Sequence, residues 1–172
     1  MADDFDLFVR ARTPALLRSA YLLTGDQHLA EDLVQSALAR THRSWRRLRD
    51  SGNAEAYTRK IMYHLQVSWW RRGRVAETFP GDLPSRRTVA RGENTEEITL
   101  RLTLREALAR LTPKQRAVLV LRFYEDRTET EAAEMLGVTV GTVKSQTAKA
   151  LARLRVAAPE LSEFYTTNGA VQ

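Results

Sequence analysis

Residues 128–155 read TETEAAEMLGVTVGTVKSQTAKALARLR, and they carry the clearest local pattern in the chain. Two short helical segments flank Gly137, which can adopt the left-handed turn that a side chain would disfavour. Ala133 lets the two helices approach closely, and Val138 and Val143 have the spacing that fills the wedge between them. The pattern predicts a helix-turn-helix. The alternative is a plain helical hairpin with a solvated basic face.

The second of these helices segregates its charge. Lys and Arg occur four times between Met135 and Pro159, and Asp and Glu do not occur there. A recognition helix presents its N-terminal residues to base edges in the major groove, while its cations contact phosphates. The predicted base-reading residues are Thr142, Ser145 and Gln146. The predicted phosphate contacts are Lys144, Lys149 and Arg153.

The rest of the chain is also patterned as helices. Its 172 residues include only 8 Gly and 5 Pro, a composition that favours helices over strands. Residues 5–23 predict one or two helices, interrupted or restarted near Pro14. Residues 27–48 predict a second helix, and residues 54–72 a third. The predicted fold class is all-α.

The segment between the third helix and the next helical pattern has the composition of a linker. Gly and Pro are interleaved there with charges and few large apolar residues, and a long structureless run usually separates domains. We therefore predict two small helical domains, residues 1–74 and 98–157, joined by a flexible linker at 75–97. Residues 158–172 are predicted to form a frayed C-terminal tail.

Positive charge is concentrated in one block. The chain has 27 Lys and Arg against 21 Asp and Glu, a net charge of +6. Residues 40–74 alone carry ten basic and two acidic residues, a net charge of +8. Such a block is the electrostatic footprint of a polyanion-binding surface. Nucleic acid is the first partner that it predicts, and an anionic membrane surface is the second.

The third predicted helix carries more apolar residues than a three-helix domain can bury. Tyr63, Val67 and Trp70 form a second apolar stripe, and Trp69 lies on a third face. Exposed aromatic residues beside cations such as Arg59 suit single-stranded nucleic acid, where each stacked base contributes ~1–3 kcal/mol. The alternative is that both tryptophans are core residues beneath solvated arginines.

Composition argues against several other classes of function. The chain has no Cys and three His, which excludes disulfides, thiolate nucleophiles and cysteine zinc sites. No window approaches the ~18 apolar residues of a membrane span, and the N-terminus is acidic. A metal-dependent nucleic-acid enzyme is disfavoured because Glu31 and Asp32 point about 100° apart on a helix. We predict no catalytic residues, no metal and no cofactor.

Four blocks of sequence together resemble one protein family. They are TGDQHLAEDLVQSALART at 24–41, AYTRKIMYHLQVSWWRR at 56–72, LTPKQRAVLVLRFYED at 111–126 and EMLGVTVGTVKSQTAKALARLR at 134–155. In this order and spacing they resemble the extracytoplasmic-function (ECF) sigma factors, the minimal class of bacterial RNA polymerase sigma subunit. The VSWWRR and TVKSQTA strings are similar to an actinobacterial, SigE-like subgroup.

The resemblance implies a function and a set of partners. The first domain would be sigma domain 2 and the second sigma domain 4, in a non-catalytic, cytoplasmic subunit that directs promoter-specific transcription initiation. The implied partners are promoter DNA, an anti-sigma factor, and core RNA polymerase, through the clamp coiled coil of its largest subunit and the flap of its second largest.

The resemblance also assigns roles to individual residues. Core polymerase contacts are implied for Asp32, Gln35 and Arg43. Recognition and opening of the minus-ten element are implied for Asn53, Lys60, His64, Trp69, Trp70, Arg71 and Arg72. Reading of the minus-thirty-five duplex is implied for Thr142, Lys144, Ser145, Gln146, Lys149 and Arg153.

Two residues depart from the family pattern, and one rival explanation remains. His64 stands where related sequences usually have Asn, a departure that bears on the minus-ten assignment. Gln146 stands where the wider family usually has Arg, a departure that bears on the transfer of a minus-thirty-five consensus. The rival is a helix-turn-helix regulator whose N-terminal domain dimerises or senses a ligand. It would account for residues 128–155 but would leave the blocks at 24–41 and 56–72 unexplained.

Overall fold

The computed structural model describes residues 2–76 and 95–161, with side chains for residues 4–68 and 95–161. Within these ranges every regular element is helical, so the all-α prediction is confirmed. The α-helices are α1 (Ala2–Thr24), α2 (Gln27–Arg43), α3 (Trp45–Ser51), α4 (Ala54–Ala76), α5 (Thr95–Ala109), α6 (Pro113–Leu119), α7 (Glu129–Leu136) and α8 (Val140–Ala157). A π-helical turn, Val120–Tyr124, comes after α6, and a 3-10 turn, Pro159–Leu161, comes after α8.

Local sequence signals set where several of these helices begin. The Asp26 carboxylate accepts the Leu29 backbone N–H at 2.9 Å at the start of α2. Thr112 with Gln115 and Thr128 with Glu131 form reciprocal capping boxes at the starts of α6 and α7. Each cap satisfies backbone amides that have no partner inside the helix.

The first half of the chain is a bundle of α1, α2 and α4, with the short α3 at one end. Leu16, Leu33 and Val34 are fully or almost fully buried at its centre. The hydroxyls of Thr41 and Thr58 lie 2.8 Å apart in the same core and join α2 to α4. This bond satisfies two polar groups that would otherwise be costly to bury.

The second half has its own apolar centre. Residues of α5, α6 and α8 form it, with Leu108, Leu119 and Leu154 among its buried side chains. Leu161 packs against the same cluster. The expectation of a frayed tail is therefore wrong for the 3-10 turn, because Leu161 gains apolar burial there; the rest of the tail, residues 162–172, lies outside the described residues.

Two predicted helix boundaries in the first half are wrong. Pro14 lies inside α1 without interrupting it, because the apolar face of α1 continues on both sides and its packing outweighs one missing backbone N–H. The helix predicted for residues 27–48 ends at Arg43, and a new helix, α3, starts at Trp45. Trp45 there packs edge-on against Phe5, with ring centroids 5.1 Å apart.

The two halves share a continuous apolar core in this structure. Met62 and Tyr63 of α4 are fully buried in one cluster with Val118, Leu121 and Ala133 of the second half. Tyr63 belongs to the second apolar stripe of the third predicted helix, and the expectation that this stripe is exposed is therefore wrong for Tyr63. The first bundle alone cannot bury the stripe, and the other half of the chain covers Tyr63.

Candidate nucleic-acid interface

The helix-turn-helix predicted at residues 128–155 is present. Gly137 ends α7 with a φ of 66°, and its backbone conformation is the one that only glycine adopts without strain. The Val138 N–H donates to the Ala133 carbonyl at 3.0 Å across the turn. Ala133 and Val143 are buried between α7 and α8, and Val138 is half-buried beside them. Because this wedge is apolar and tight, α8 is held at a fixed angle to α7.

The predicted reading face of α8 points away from this wedge. Lys144, Ser145, Lys149 and Arg153 are exposed, and Thr142 and Gln146 are half-buried. Opposite them, Val143, Ala150 and Leu154 are buried. The helix therefore presents a polar, basic strip that a duplex groove can approach.

Three of the six predicted reading residues already have partners within the protein. The Thr142 N–H donates to Thr139 Oγ1 at 3.1 Å as part of the cap of α8. Lys144 Nζ lies 3.7 Å from a Glu129 carboxylate oxygen, and Arg153 donates to Gln115 Oε1 at 3.3 Å. The Lys144–Glu129 contact is at the surface, where an ion pair contributes little and a phosphate can replace it at small cost.

The other three, Ser145, Gln146 and Lys149, make no side-chain hydrogen bond or ion pair to any residue within the described part of the chain. Ser145 and Gln146 lie in the first two turns of α8, where a recognition helix meets base edges.

The predicted minus-ten residues that are described lie on one stripe of α4. Asn53 immediately precedes the helix, and Lys60 and His64 come after it at helical spacing; all three are exposed. Trp69, Trp70, Arg71 and Arg72 belong to the backbone of α4, but their side chains lie outside the described residues. Arg59, predicted to lie beside exposed aromatic residues, is instead only 8% exposed.

The predicted polymerase-binding residues lie on the outer face of α2. Asp32, Gln35 and Arg43 are all exposed, while the opposite face of the same helix is buried through Leu33, Val34 and its other apolar residues. The part of the helix that carries these three residues can therefore meet a partner without any need to unfold.

A polar cluster that the sequence does not predict joins the two halves. The Glu125 carboxylate oxygen Oε1 accepts hydrogen bonds from Ser19 Oγ at 2.8 Å, Tyr63 OH at 2.8 Å and Arg59 Nη1 at 2.7 Å. We call Ser19, Arg59, Tyr63 and Glu125 the Glu125 cluster. Burial, and then the charge and hydrogen bond of Glu125, raises the pKa of Tyr63 well above its ordinary value. Tyr63 therefore remains a hydrogen-bond donor at neutral pH.

A π-helical turn places Glu125 in this cluster. The Glu125 N–H donates to the Val120 carbonyl, five residues back, at 2.9 Å. A π turn adds one residue to the helical register and rotates the residues after it by about 100° relative to an α-helix. No local pattern in the sequence indicates this shift.

Neither a metal site nor a membrane span is found in the part of the chain that the structure describes. Among residues 2–76 and 95–161 no three His, Asp or Glu side chains are grouped as metal ligands would be. No described helix is both long and apolar enough to cross a bilayer.

Comparison with known proteins accounts for both halves. Residues 8–75 match the family described as Sigma-70 region 2, and residues 107–156 match Sigma-70, region 4. The RNA polymerase sigma-E factor of Streptomyces coelicolor is 42% identical, over 88% of this chain and 84% of its own length. The chain belongs to the ECF RNA polymerase sigma factors. The ECF RNA polymerase sigma factor SigM of Mycobacterium tuberculosis is 31% identical, over 87% of this chain and 74% of its own length.

A solved structure of a sigma factor is similar along both halves. The sigma factor RpoE of Bartonella quintana, in complex with the anti-sigma factor NepR, matches with a TM-score of 0.64 and 26% identity. The match covers 90% of this chain and 96% of that one. The rival explanation, a helix-turn-helix regulator whose N-terminal domain dimerises or senses a ligand, is wrong because residues 8–75 match Sigma-70 region 2.

Proposed function

We propose that this sigma factor directs RNA polymerase to promoters with three separate surfaces. The outer face of α2 docks on the clamp coiled coil of the largest polymerase subunit, through Asp32, Gln35 and Arg43. The stripe on α4 captures the minus-ten strand, and α8 enters the major groove at the minus-thirty-five element. Residues 1–74 and 98–157 are the two functional domains, with 75–97 as linker and 158–172 as tail.

The observation that supports this proposal most directly is the geometry of α8. Its buried side is fixed by Val143 at 0% exposure and by the left-handed Gly137, and its outer side carries the exposed Ser145, Lys149 and Arg153. A rigid helix with polar residues at its N-terminal end and cations along its length is what major-groove reading requires.

On α4, capture of opened strands follows from the chemistry of the stripe. Lys60 can neutralise a phosphate, and Asn53 and His64 can hydrogen-bond base edges that are exposed only when the strands separate. Trp69, Trp70, Arg71 and Arg72 extend the same helix and are assigned stacking and phosphate contacts there. Binding energy gained only from separated strands favours the open promoter.

The chain acts as a binding subunit without catalytic residues or a cofactor, in the cytoplasm, where it meets core polymerase and promoter DNA. The flap of the second largest subunit would hold region 4. An anti-sigma factor, as NepR is for RpoE, would be a further partner.

Run-off transcription tests the proposal as a whole. Purified core polymerase with this protein and a promoter library should give transcripts with defined start sites, and core alone should not. The absence of any defined start site from the complete mixture would refute the proposed function.

DNA binding by the holoenzyme should depend steeply on salt. If the basic surfaces contact ~6–10 phosphates, affinity for promoter fragments falls ~10³–10⁵-fold between 50 and 200 mM salt. Titration of a labelled promoter fragment at several salt concentrations measures this slope. A nearly flat dependence would contradict the assignment of the basic residues to phosphate.

Gln146 and Lys149 should differ in how they affect promoter choice. Gln146→Ala is expected to relax preference at one minus-thirty-five position by ~1–3 kcal/mol, because a bidentate contact to a base is lost. Lys149→Ala should weaken binding to all sequences alike and reduce the salt slope by about one. Competition binding on single-base promoter variants separates the two effects.

Arg155→Ala is the matched control for Lys149→Ala. Arg155 is exposed on the same helix but lies about 120° away from Lys149, off the reading face. The Arg155→Ala variant should leave both the affinity for DNA and the preference among promoter variants nearly unchanged. Uniform loss in both the Gln146 and the Lys149 variants would contradict the division between base and phosphate contacts.

A further inference from the structure

A cavity of about 610 Å³ lies between helices α1 and α2 on one side and α5 and α6 on the other. Its volume is within the range of small-molecule sites, about 300–1,000 Å³. None of the described residues assigned to DNA or to core polymerase lines this cavity. The proposed function therefore leaves it without a role.

Leucine side chains form much of the cavity wall. Leu17 and Leu22 come from α1, and Leu104 and Leu108 come from α5. Leu108 is buried, whereas the other three are half-buried. Half-buried leucines beside a cavity leave apolar surface in contact with water, and an apolar ligand that displaces this water is favoured. The wall therefore suits a hydrocarbon group.

Arg116 places a positive charge beside the same cavity without a negative partner. Its Nε, Nη1 and Nη2 donate to the carbonyls of Leu108, Leu23 and Leu111 at 2.9, 2.6 and 3.2 Å. Carbonyl oxygens satisfy the N–H groups but do not neutralise the charge, and no carboxylate of residues 4–68 or 95–161 forms an ion pair with Arg116. Burial lowers the pKa of Arg116 from its ordinary value, as expected for a charge that is taken out of water without compensation.

Arg105 is oriented toward the cavity and retains free donors. Its Nε donates to the Gly25 carbonyl at 3.0 Å, and its guanidinium carbon lies 5.9 Å from the centroid of the Tyr21 ring. Within the described part of the chain, its Nη1 and Nη2 donate to no acceptor and pair with no carboxylate. A guanidinium group with both terminal nitrogens free can bind a carboxylate or phosphate through two parallel hydrogen bonds.

The residues that line the cavity carry more positive than negative charge. Four arginines, Arg18, Arg101, Arg105 and Arg116, line it together with one acidic residue, Glu31. Arg101 pairs with Glu97 at 2.9 Å, so three arginines remain against one glutamate, a net charge of +2. Arg18 is exposed on α1. A concave surface of this charge attracts anions.

We propose that this cavity binds a small amphipathic anion, whose hydrocarbon chain packs on the leucines and whose carboxylate or phosphate head group pairs with Arg105 and Arg18. A neutral apolar molecule would leave the arginines uncompensated, and a small inorganic anion would leave the leucines hydrated. The two features together therefore define the class of ligand. The site belongs to the free chain, so its test needs neither DNA nor polymerase and does not rest on the proposed function.

Calorimetric titration of the full chain tests the chain and the charge of the ligand separately. The probes are decanoate, acetate and decyltrimethylammonium, each used below the concentration at which micelles form. Decanoate should bind saturably and at least ~10-fold more tightly than acetate, which lacks the apolar chain. It should also bind at least ~10-fold more tightly than decyltrimethylammonium, whose cation would face the arginines.

Decyl phosphate distinguishes the two possible head groups. Its chain has the same length as that of decanoate, so a difference in affinity between the two reports the head group alone. Tighter binding of either one supports the site and identifies its preferred anion. If neither decanoate nor decyl phosphate binds saturably, the proposal is refuted.

Arg105→Gln should weaken decanoate binding at least ~10-fold, because a charge-assisted hydrogen bond to the head group is lost. Arg110→Gln is the matched control, since it removes the same charge at an exposed position that does not line the cavity. The control should bind decanoate like the parent. Equal losses in both variants would show a general effect of net charge and would overturn the site.

Arg18→Gln keeps the test decisive if Arg105→Gln does not fold. Arg18 is exposed and has no side-chain hydrogen bond or ion pair among the residues that the structure describes, so its replacement should leave the fold intact. It should weaken decanoate binding at least ~3-fold. Parent-like affinity in every folded variant at these two arginines would contradict the proposal.

Thermal unfolding separates binding at a formed cavity from a detergent-like effect. A ligand that binds the folded chain raises the midpoint of unfolding, so decanoate should raise the midpoint of the parent and of Arg110→Gln. It should raise the midpoint of Arg105→Gln less at the same concentration. A midpoint that falls in all three proteins would show binding to unfolded chain and would rule out the cavity as the site.

Discussion

Asp32→Lys is expected to weaken binding of the sigma factor to core polymerase at least ~30-fold, equivalent to about 2 kcal/mol or more. Asp32 is exposed on the outer face of α2, in line with Gln35 and Arg43. The Asp32 carboxylate is expected to meet a basic or polar surface of core polymerase. A lysine ammonium group at this position would be repelled by a basic surface, because like charges at an interface repel each other. Fluorescence anisotropy of labelled protein titrated with core polymerase measures the loss.

A stability measurement separates loss of docking from loss of folding. Because Asp32 makes no buried contact, the thermal unfolding of Asp32→Lys should match that of the parent within the small range expected of surface substitutions, about 0.5 kcal/mol. Glu106→Lys, the same type of charge reversal at an exposed position of α5, should bind core normally. Parent-like affinity of Asp32→Lys for core would remove Asp32 from the docking face.

Val143→Asp is expected to cost about 3–5 kcal/mol of folding free energy, the largest stability effect among these substitutions. Val143 has 0% exposure and lies in the cluster that joins the helix-turn-helix to region 2. A carboxylate at this position would be buried without a partner. Since small proteins are stable by only about 5–15 kcal/mol, much of region 4 should unfold, and duplex binding should be lost with it.

Val156→Asp provides the control on the same helix. Val156 is 83% exposed, so its replacement should change the free energy of unfolding by no more than about 0.5 kcal/mol. Urea denaturation followed by circular dichroism compares the two variants directly. Equal midpoints for both would show that α8 is not held by its apolar face.

Most of the local structure could be predicted because its causes are local. Thr112 and Thr128 cap helices through residues three positions ahead, and Gly137 ends α7 through its own backbone freedom. The apolar faces of α2 and α8 follow from helical periodicity alone. The wrong predictions at Pro14 and Arg43 concerned boundaries, where burial of a whole helix face outweighs the preference of one residue.

The candidate site was predictable only in part, for the same reason. Ser145, Lys149 and Lys60 are exposed as expected, because the opposite face of each helix is visibly apolar in the sequence. Arg59 and Tyr63 were expected beside an exposed surface, yet both are buried. Their environment depends on region 4, and nothing in residues 54–76 encodes where region 4 packs.

The all-α class, the helix-turn-helix and the helix caps could be predicted because each follows from residues close together in the chain, and the sigma family could be predicted because its four blocks are recognisable without knowing how they pack. The shared core of the two halves could not be predicted in this way, nor could the contacts of Glu125 with Arg59, 66 residues away, and with Ser19, 106 residues away. Such contacts depend on a π turn and on the fit of two surfaces. The periodicity of apolar residues predicts neither the π turn nor this fit, because it shows which face of a helix is apolar and not what covers that face.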